Sequence, residues 1–238
     1  MQIMSEKIRV TILDDHQPIV DGYRFRLAGD SRIEIAAAIT YGEQLESTLD
    51  EKATDVLILD VGVPTSKENA NPYPILNAIP ALIEKHPNLN ILVISMFADR
   101  ELIRAVMQAG ANGYILKDDS AAVRELAAVV VSIFNDGMYL SQKASQALLS
   151  AMGVEEDGMP HLSARQREVL SLCAAYPNLK SAGLAEKMGV LNSTVRNLLS
   201  SSYERLGVQT RAGAIARARE LGLITPINPP TQPILVKK

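Results

Sequence analysis

The first 136 residues alternate between two kinds of segment, and this order restricts the fold more than any other feature. Five short runs rich in aliphatic and β-branched residues fit buried strands; they are IRVTILDD, IEIAAAI, DVLILDV, NILVISM and NGYIL. Segments with helical spacing of apolar residues follow these runs, at 18–28, 42–49, 75–85, 99–109 and 120–134. Strands and helices in this order predict a parallel sheet with helices on both faces.

The ends of these segments carry signals that fit the same order. Pro18 lies near the start of the first helical segment, Asp99 and Ser120 are predicted N-caps, and Gly110 follows the fourth segment. Open sheets of this class form their binding sites where the strands end at their carboxyl termini. Strand ends are therefore the first place to look for functional residues.

From Leu162 onward the pattern is entirely helical, with Ser163 and Gln166 as a capping-box pair. The predicted helices are 163–175, 182–188, 192–206 and 211–221, the last three followed by Gly189, Gly207 and Gly222. We expect an α/β doubly wound five-stranded parallel sheet over 1–137 and a small all-α domain over 161–225. A linker with a helical segment joins them over 138–160, and a flexible Pro-rich tail covers 226–238.

Charge separates the two predicted domains. Residues 1–160 carry 13 Lys and Arg against 23 Asp and Glu, a net −10, whereas residues 161–238 carry 11 against 4, a net +7. The basic part is a candidate for binding nucleic acid. The single cysteine, Cys173, excludes an internal disulfide, the apolar runs are too short to span a bilayer, and the N-terminus is unlike a secretion signal. A cytoplasmic protein without a membrane partner is expected.

Polar residues end several of the predicted strands. Asp14 and Asp15 end the first, Asp60 the third and Ser95 the fourth, while Lys117 follows the fifth. Crowded carboxylates repel one another and need compensation, which a divalent cation such as Mg²⁺ can supply through oxygen ligands. Together with a lysine and a hydroxyl, the set suits a phosphoryl group carried by an Asp. We expect Asp60, at the end of the central strand, to be the nucleophile.

Each of these residues also has a purely structural reading. Asp14 could cap a helix, Ser95 could be an ordinary strand end, Lys117 could lie on the surface, and Tyr114 could fill the core. It is their combination that favours a site. His16 follows the acidic pair, but as a lone histidine we interpret it as non-catalytic.

The motifs ILDDH, LILDVGVP, VISM and GYILKD, in this order, resemble the receiver domain of two-component response regulators over residues 8–136. The resemblance implies that a histidine kinase phosphorylates Asp60. It also implies that Asp14, Asp15, Asp60 and the carbonyl of Gly62 bind Mg²⁺, and that Ser95 and Tyr114 act as a switch pair beside Lys117. The family's pattern turns quickly into a helix after Pro64, whereas this chain has TSKENANPYP, which could tune phosphorylation or be neutral.

Two helices of the second domain, 182–188 and 192–206, are joined by a turn of three residues, GVL. Apolar residues can pack between them and leave polar side chains on or near an outward face, as in a recognition helix for the DNA major groove; these are Ser193, Thr194, Arg196, Asn197, Ser200 and Ser201. Cations elsewhere in the domain would contact phosphates; these are Arg165, Arg167, Lys180, Arg205 and Arg211.

The fragments LSARQREVLSLCAA, SAGLAEKMGV and NSTVRNLLSSSYERLGV resemble the LuxR-type helix-turn-helix domain of NarL/FixJ regulators. The chain departs from the family's pattern at Ser181–Gly183 and at Leu198, where a histidine is frequent. The resemblance implies a homodimeric transcription factor in which phosphorylation switches dimerisation and binding to double-stranded DNA. The alternative is a protein-interaction regulator with a degenerate DNA-binding module. A phosphohydrolase would typically carry a second Asp two residues after Asp60, where Gly62 stands, so we do not expect an enzyme.

Overall fold

A computed structural model describes residues 7–135, 137–149, 160 and 162–227. In this part of the chain six strands form one sheet in the order β2-β1-β3-β4-β5-β6, with every neighbouring pair parallel. The strands are β1 Ile8–Leu13, β2 Ile33–Ile39, β3 Val56–Leu59, β4 Asn90–Ser95, β5 Gly113–Leu116 and β6 Tyr139–Leu140. The predicted doubly wound parallel sheet is confirmed, but its number of strands was wrong.

Helices cover both faces of the sheet. Their bounds are α1 Gln17–Leu27, α2 Leu45–Glu51, α3 Ile75–Lys85, α4 Arg100–Gln108, α5 Ser120–Arg124, α6 Leu126–Phe134 and α7 Gln142–Leu149. Apolar residues of α1, α5 and α6 pack on one face, and those of α2, α3, α4 and α7 pack on the other. β1 contributes to both cores, since Leu13 faces one and Ile12 the other, as the alternation of a strand requires.

The helix-end signals have mixed outcomes. Asp99 is the N-cap of α4, and its side chain accepts a hydrogen bond from the Leu102 amide at 2.9 Å. The prediction of Ser120 as an N-cap was wrong, because Asp119 holds that position and accepts from the Ala122 amide. The predicted helix 120–134 is also interrupted at Glu125, which separates α5 from α6.

The residues after α6 extend the first domain. β6 pairs with β5, and the buried side chain of Ala144 in α7 joins the same core as Tyr114. The Ser141 hydroxyl accepts from the Leu116 amide at 3.3 Å, which ties this segment to β5. Residues 139–149, predicted as the start of the linker, therefore pack as part of the α/β domain. The rest of the predicted linker lies outside the described residues, apart from Pro160.

The second domain contains α8 Ala164–Ala175, α9 Ser181–Met188, α10 Asn192–Leu206 and α11 Arg211–Glu220, packed around their own core. The capping box of α8 is confirmed, with Ser163 and Gln166 bonded reciprocally. The glycines that follow α9, α10 and α11 all have positive φ, which glycine adopts without strain. The predicted tail falls outside the described residues beyond Ile227. Among the helices described, none is long and apolar enough to cross a membrane.

The segment between β3 and α3, residues 65–74, is an ordered loop that we call the β3–α3 insert. Pro64 and Pro72 form an antiparallel bridge, and the Tyr73 amide donates to the Val63 carbonyl at 2.9 Å. The start of the insert is also fixed to the turn before α2, because the Glu43 amide donates to the Thr65 carbonyl at 3.0 Å. The insert is therefore anchored at its base on both sides.

Gly42 is essential to this anchoring. A Cβ at position 42 would overlap the ring of Tyr73, whereas a Cβ at Gly29 would make only ordinary contact with the Arg26 carbonyl. We expect Gly42→Ala to lower the free energy of unfolding by about 1–3 kcal/mol through overpacking. Gly29→Ala should change it by less than about 0.5 kcal/mol. Urea denaturation of both variants checks this, and equal stabilities would contradict the packing described.

Candidate functional site

Three strand ends meet at one edge of the sheet and bring Asp14, Asp60 and Lys117 together. Lys117 Nζ lies 2.8 Å from Asp60 Oδ2 and 2.8 Å from Asp14 Oδ2. Both carboxylates are almost fully buried, at 1% and 3% exposed. The parallel order β1-β3-β4-β5 places these ends side by side, so the prediction that these residues converge is confirmed.

The same pocket contains four side chains that could bind a metal ion. Asp14, Asp15, His16 and Asp60 each offer a ligand atom, and these atoms all lie within 4.8 Å of one another. Asp14 Oδ2 is buried and receives no well-aligned hydrogen bond, although the Lys117 ammonium is close by. A carboxylate oxygen left in this way, beside further carboxylates, fits a hard divalent cation such as Mg²⁺.

Burial controls the electrostatics of the pocket. It raises the pKa of Asp60 above the usual carboxyl value, and Asp14 raises it further, while the Lys117 ammonium opposes both. Burial acts in the opposite sense on Lys117, but the two carboxylates outweigh it and raise the pKa of that ammonium. Asp60 is therefore a carboxylate held in a poorly solvated site by a fixed cation.

The predicted switch residues Ser95 and Tyr114 are linked through the backbone of Phe97. The Ser95 hydroxyl accepts from the Phe97 amide at 3.3 Å, and the Tyr114 hydroxyl donates to the Phe97 carbonyl at 2.7 Å. Both side chains are fully buried, and burial raises the pKa of Tyr114. A rotation of Ser95 toward Asp60 would break its bond with the Phe97 amide and leave the bond from Tyr114.

The predicted recognition helix, α10, presents most of the expected polar face. Five side chains along it are exposed; they are Ser193, Thr194, Arg196, Asn197 and Ser200. Val195 and Leu199 on the opposite side are buried in the core of the domain. Lys180 and Arg205 are exposed as well, before α9 and near the end of α10.

Ser201 and Arg211 lie elsewhere than predicted. The Ser201 hydroxyl is half-buried, accepts from Gln166 Nε2 at 2.9 Å and lies 3.2 Å from the Leu198 carbonyl. Arg211 is also half-buried and donates to the carbonyls of Leu179 and Tyr176. Both side chains are used inside the domain, and most of their partners lie more than 30 residues away in the chain, where sequence spacing does not reveal them. Neither belongs to the outward face.

Three residues with clear structural roles were missed or undervalued. His16 Nδ1 lies 2.9 Å from Asp15 Oδ1, so this histidine belongs to the acidic pocket. Its position directly after the acidic pair was the available signal. Phe97 contributes only backbone groups, and Asn69 in the β3–α3 insert contacts the second domain, so neither could be identified from residue type.

The comparison with known families gives a direct assignment. Residues 10–130 match the model described as the response regulator receiver domain. The chain belongs to this family. Its receiver domain carries the converging pocket described above, and the protein is a response regulator with a helical C-terminal region.

Curated relatives match nearly the whole chain. The transcriptional regulatory protein MctR of Rhizobium johnstonii is 27% identical over 93% of this chain and 98% of its own length. DegU of Brevibacillus brevis, also a transcriptional regulatory protein, is 27% identical over 94% of this chain and 98% of its own length. RcsB from Salmonella enterica serovar Typhimurium, solved bound to promoter rprA with a phosphomimetic, is 22% identical, covers 89% of this chain and 98% of its own, and gives a TM-score of 0.60. This likeness extends to the fold of both domains.

The raised pKa of Asp60 has a consequence for stability. The folded state binds this proton more tightly than the unfolded chain does, so stability falls as the pH rises above the usual carboxyl value. We expect Asp60→Asn to raise the free energy of unfolding by about 0.5–2 kcal/mol near neutral pH without divalent ions. The gain should shrink on acidification, as folded Asp60 takes up its proton above the usual carboxyl value.

Urea denaturation with and without Mg²⁺ measures this effect. Mg²⁺ should stabilise the wild type more than Asp60→Asn, because the variant lacks one candidate ligand. The exposed Asp118, paired with Lys143 at the surface, supplies the control Asp118→Asn. An Asp60→Asn protein less stable than the wild type near neutral pH would contradict the electrostatic account.

Proposed function

We propose that this protein is a transcription factor of a two-component system, in which Asp60 accepts a phosphoryl group from a sensor histidine kinase. The observation that carries this proposal is the buried pocket in which Lys117 lies 2.8 Å from both Asp14 and Asp60. An Asp carboxylate oxygen attacks phosphorus, the P–N bond to the kinase histidine breaks, and an aspartyl phosphate forms. Lys117 stays in place to neutralise charge on the phosphoryl oxygens.

Asp14, Asp15, Asp60 and the carbonyl of Gly62 would hold Mg²⁺ in this pocket. The unsatisfied Asp14 Oδ2 and the close spacing of the carboxylates support this set. The ion supplies charge neutralisation for phosphoryl transfer. The chain itself positions Asp60 at the rigid end of β3, between β1 and β4, and excludes bulk water by burial.

Ser95 and Tyr114 would report the phosphorylation state. When Ser95 turns to a phosphoryl oxygen, its hydroxyl leaves the Phe97 amide, and the loop that Tyr114 also holds adopts a second arrangement. The phosphoryl group thus biases a two-state element between β4 and α4. The change would be transmitted to the surface formed by α4 and the elements packed on it.

The second domain would bind double-stranded DNA through α10. Ser193, Thr194, Arg196, Asn197 and Ser200 are exposed along one face, as base-contacting residues must be. Lys180 and Arg205 would contact phosphates and make the affinity depend on salt. Two copies of the chain would grip half-sites about 34 Å apart, so we propose a homodimer on DNA. The relatives named as transcriptional regulatory proteins support this part of the proposal.

Phosphorylation is tested by labelling with a small phosphodonor, acetyl phosphate, in the presence of Mg²⁺. The wild type should incorporate phosphate, and Asp60→Asn should incorporate none because the acceptor oxygen is gone. Asp118→Asn, which removes an exposed carboxylate near Lys117 in sequence, should label like the wild type. Undiminished labelling of Asp60→Asn would refute the assignment.

Base reading by α10 is tested with Arg196→Ala. Loss of a base contact should weaken binding to a selected site by about 1–3 kcal/mol, measured by fluorescence anisotropy at several salt concentrations. Arg217→Ala removes an exposed arginine of α11 and controls for the loss of one positive charge. Equal effects of the two variants would make Arg196 a general electrostatic contact, and no binding by the wild type would favour the protein-interaction alternative.

A further inference from the structure

The C-terminal half of one face of α8 is buried outside the core of the second domain. Ala164, Glu168, Ser171 and Ala175 share this face by helical spacing, opposite the side that carries Val169 and Cys173. Ser171 and Ala175 are nevertheless 3% and 0% exposed. α3 of the receiver domain is in contact with α8, and the β3–α3 insert is bonded to the last residue of α8. The second domain is therefore docked on the receiver in this structure.

The β3–α3 insert makes a specific contact with the end of α8. Asn69 Nδ2 donates to the Ala175 carbonyl at 2.7 Å. Ala175 is the last residue of α8, and carbonyls in the last turn of a helix have no partner within the helix. Asn69 thus supplies, from the other domain, a hydrogen bond that α8 cannot make for itself.

Asn69 is held in position for this contact by its own loop. Its Oδ1 accepts from the amide and the side chain of Asn71, and its backbone amide donates to the Ser66 hydroxyl at 3.1 Å. The amide nitrogen of the side chain is the group left to reach outward. The sequence departure after Pro64 therefore builds a rigid donor aimed at the second domain.

A second docking point lies at the start of α4. Gly222, which follows α11 with positive φ, sits so close that an added Cβ would lie 2.8 Å from the Leu102 amide nitrogen and 3.0 Å from Asp99 Oδ1. Asp99 is the N-cap of α4. The second domain thus rests on the loop that leads out of Ser95 as well as on the insert that leads out of Asp60.

The interface between the domains contains buried polar atoms without hydrogen-bond partners, and it contains unfilled space. Asn77 Oδ1 on α3 and Ser171 Oγ on α8 are buried without a hydrogen-bond partner. A cleft of about 570 Å³ remains between α3, α4 and α8, lined by both apolar and charged residues. Unpaired polar groups and unfilled space make an interface weak. A surface of this kind can open and close reversibly.

We propose that the β3–α3 insert is a latch, in which Asn69 holds the second domain closed until phosphorylation of Asp60 loosens it. This latch rests on the function proposed above and describes how phosphorylation would change the contact between the two domains. The insert begins five residues after Asp60, and the intervening Val61 and Val63 are fully buried. A phosphoryl group on Asp60 displaces the rigid base of the insert, while Ser95 releases the loop before α4. Both docking points then shift together.

Amide hydrogen exchange of the full chain tests the latch, with beryllofluoride and Mg²⁺ as the phosphoryl mimic. Asn69→Asp keeps the oxygen that organises the insert, removes the donor to Ala175, and places a negative charge at the C-terminus of α8, where it is unfavourable. Asn88→Asp adds the same charge at an exposed position away from the interface and is the control.

Without the mimic, Asn69→Asp should exchange about three- to tenfold faster than the wild type in α3 and in the last turn of α8. The mimic should bring the wild type to the same rates and add little to the variant, and Asn88→Asp should behave as the wild type. Equal rates in Asn69→Asp and the wild type without the mimic would overturn the latch.

The failure of phosphorylation itself is a separate outcome. If Asn69→Asp opens the interface but the mimic changes nothing in the wild type, the docking contact stands and its control by Asp60 is overturned. If the mimic accelerates exchange equally in both proteins, the latch and the phosphoryl site act independently and the proposed coupling is refuted.

Discussion

The ammonium of Lys117, 2.8 Å from both Asp14 and Asp60, is the interaction on which the rest of the site depends. Burying two ionised carboxylates side by side at the end of a sheet is costly unless a cation compensates them or one of them takes up a proton. Burial still raises the pKa of Asp60, so the compensation is incomplete. Added positive charge would relieve this cost, and the proposed Mg²⁺ would supply it.

Chain topology connects the pocket to the second domain. Asp60 and Ser95 end adjacent strands, and the segments that follow them, the β3–α3 insert and the loop before α4, both touch the second domain. A change at the pocket thus reaches the domain interface over a few residues. The face of α10 that we propose to bind DNA is exposed, so the docking described here does not cover it.

Much of the fold and the pocket could be predicted from sequence because period and end signals are local. The alternation of segments predicted the parallel sheet, and Asp99 was recognisable as an N-cap. The strand ends converge as parallel topology requires. β6 could not be predicted, since its two residues are specified by pairing with β5. The roles of Ser201 and Asn69 could not be predicted either, because their partners lie 35 and 106 residues away in the chain.

The central claim is that Asp60, held by Lys117 beside Mg²⁺, is the phosphoryl acceptor. A crystal structure of the full chain with beryllofluoride and Mg²⁺ tests it most directly. The account predicts beryllium bonded to an Asp60 carboxylate oxygen, Lys117 and Ser95 contacting the fluorides, and the ion bound by Asp14, Asp15, Asp60 and the Gly62 carbonyl. Beryllofluoride bound elsewhere, or Lys117 turned away from an unmodified Asp60, would contradict it.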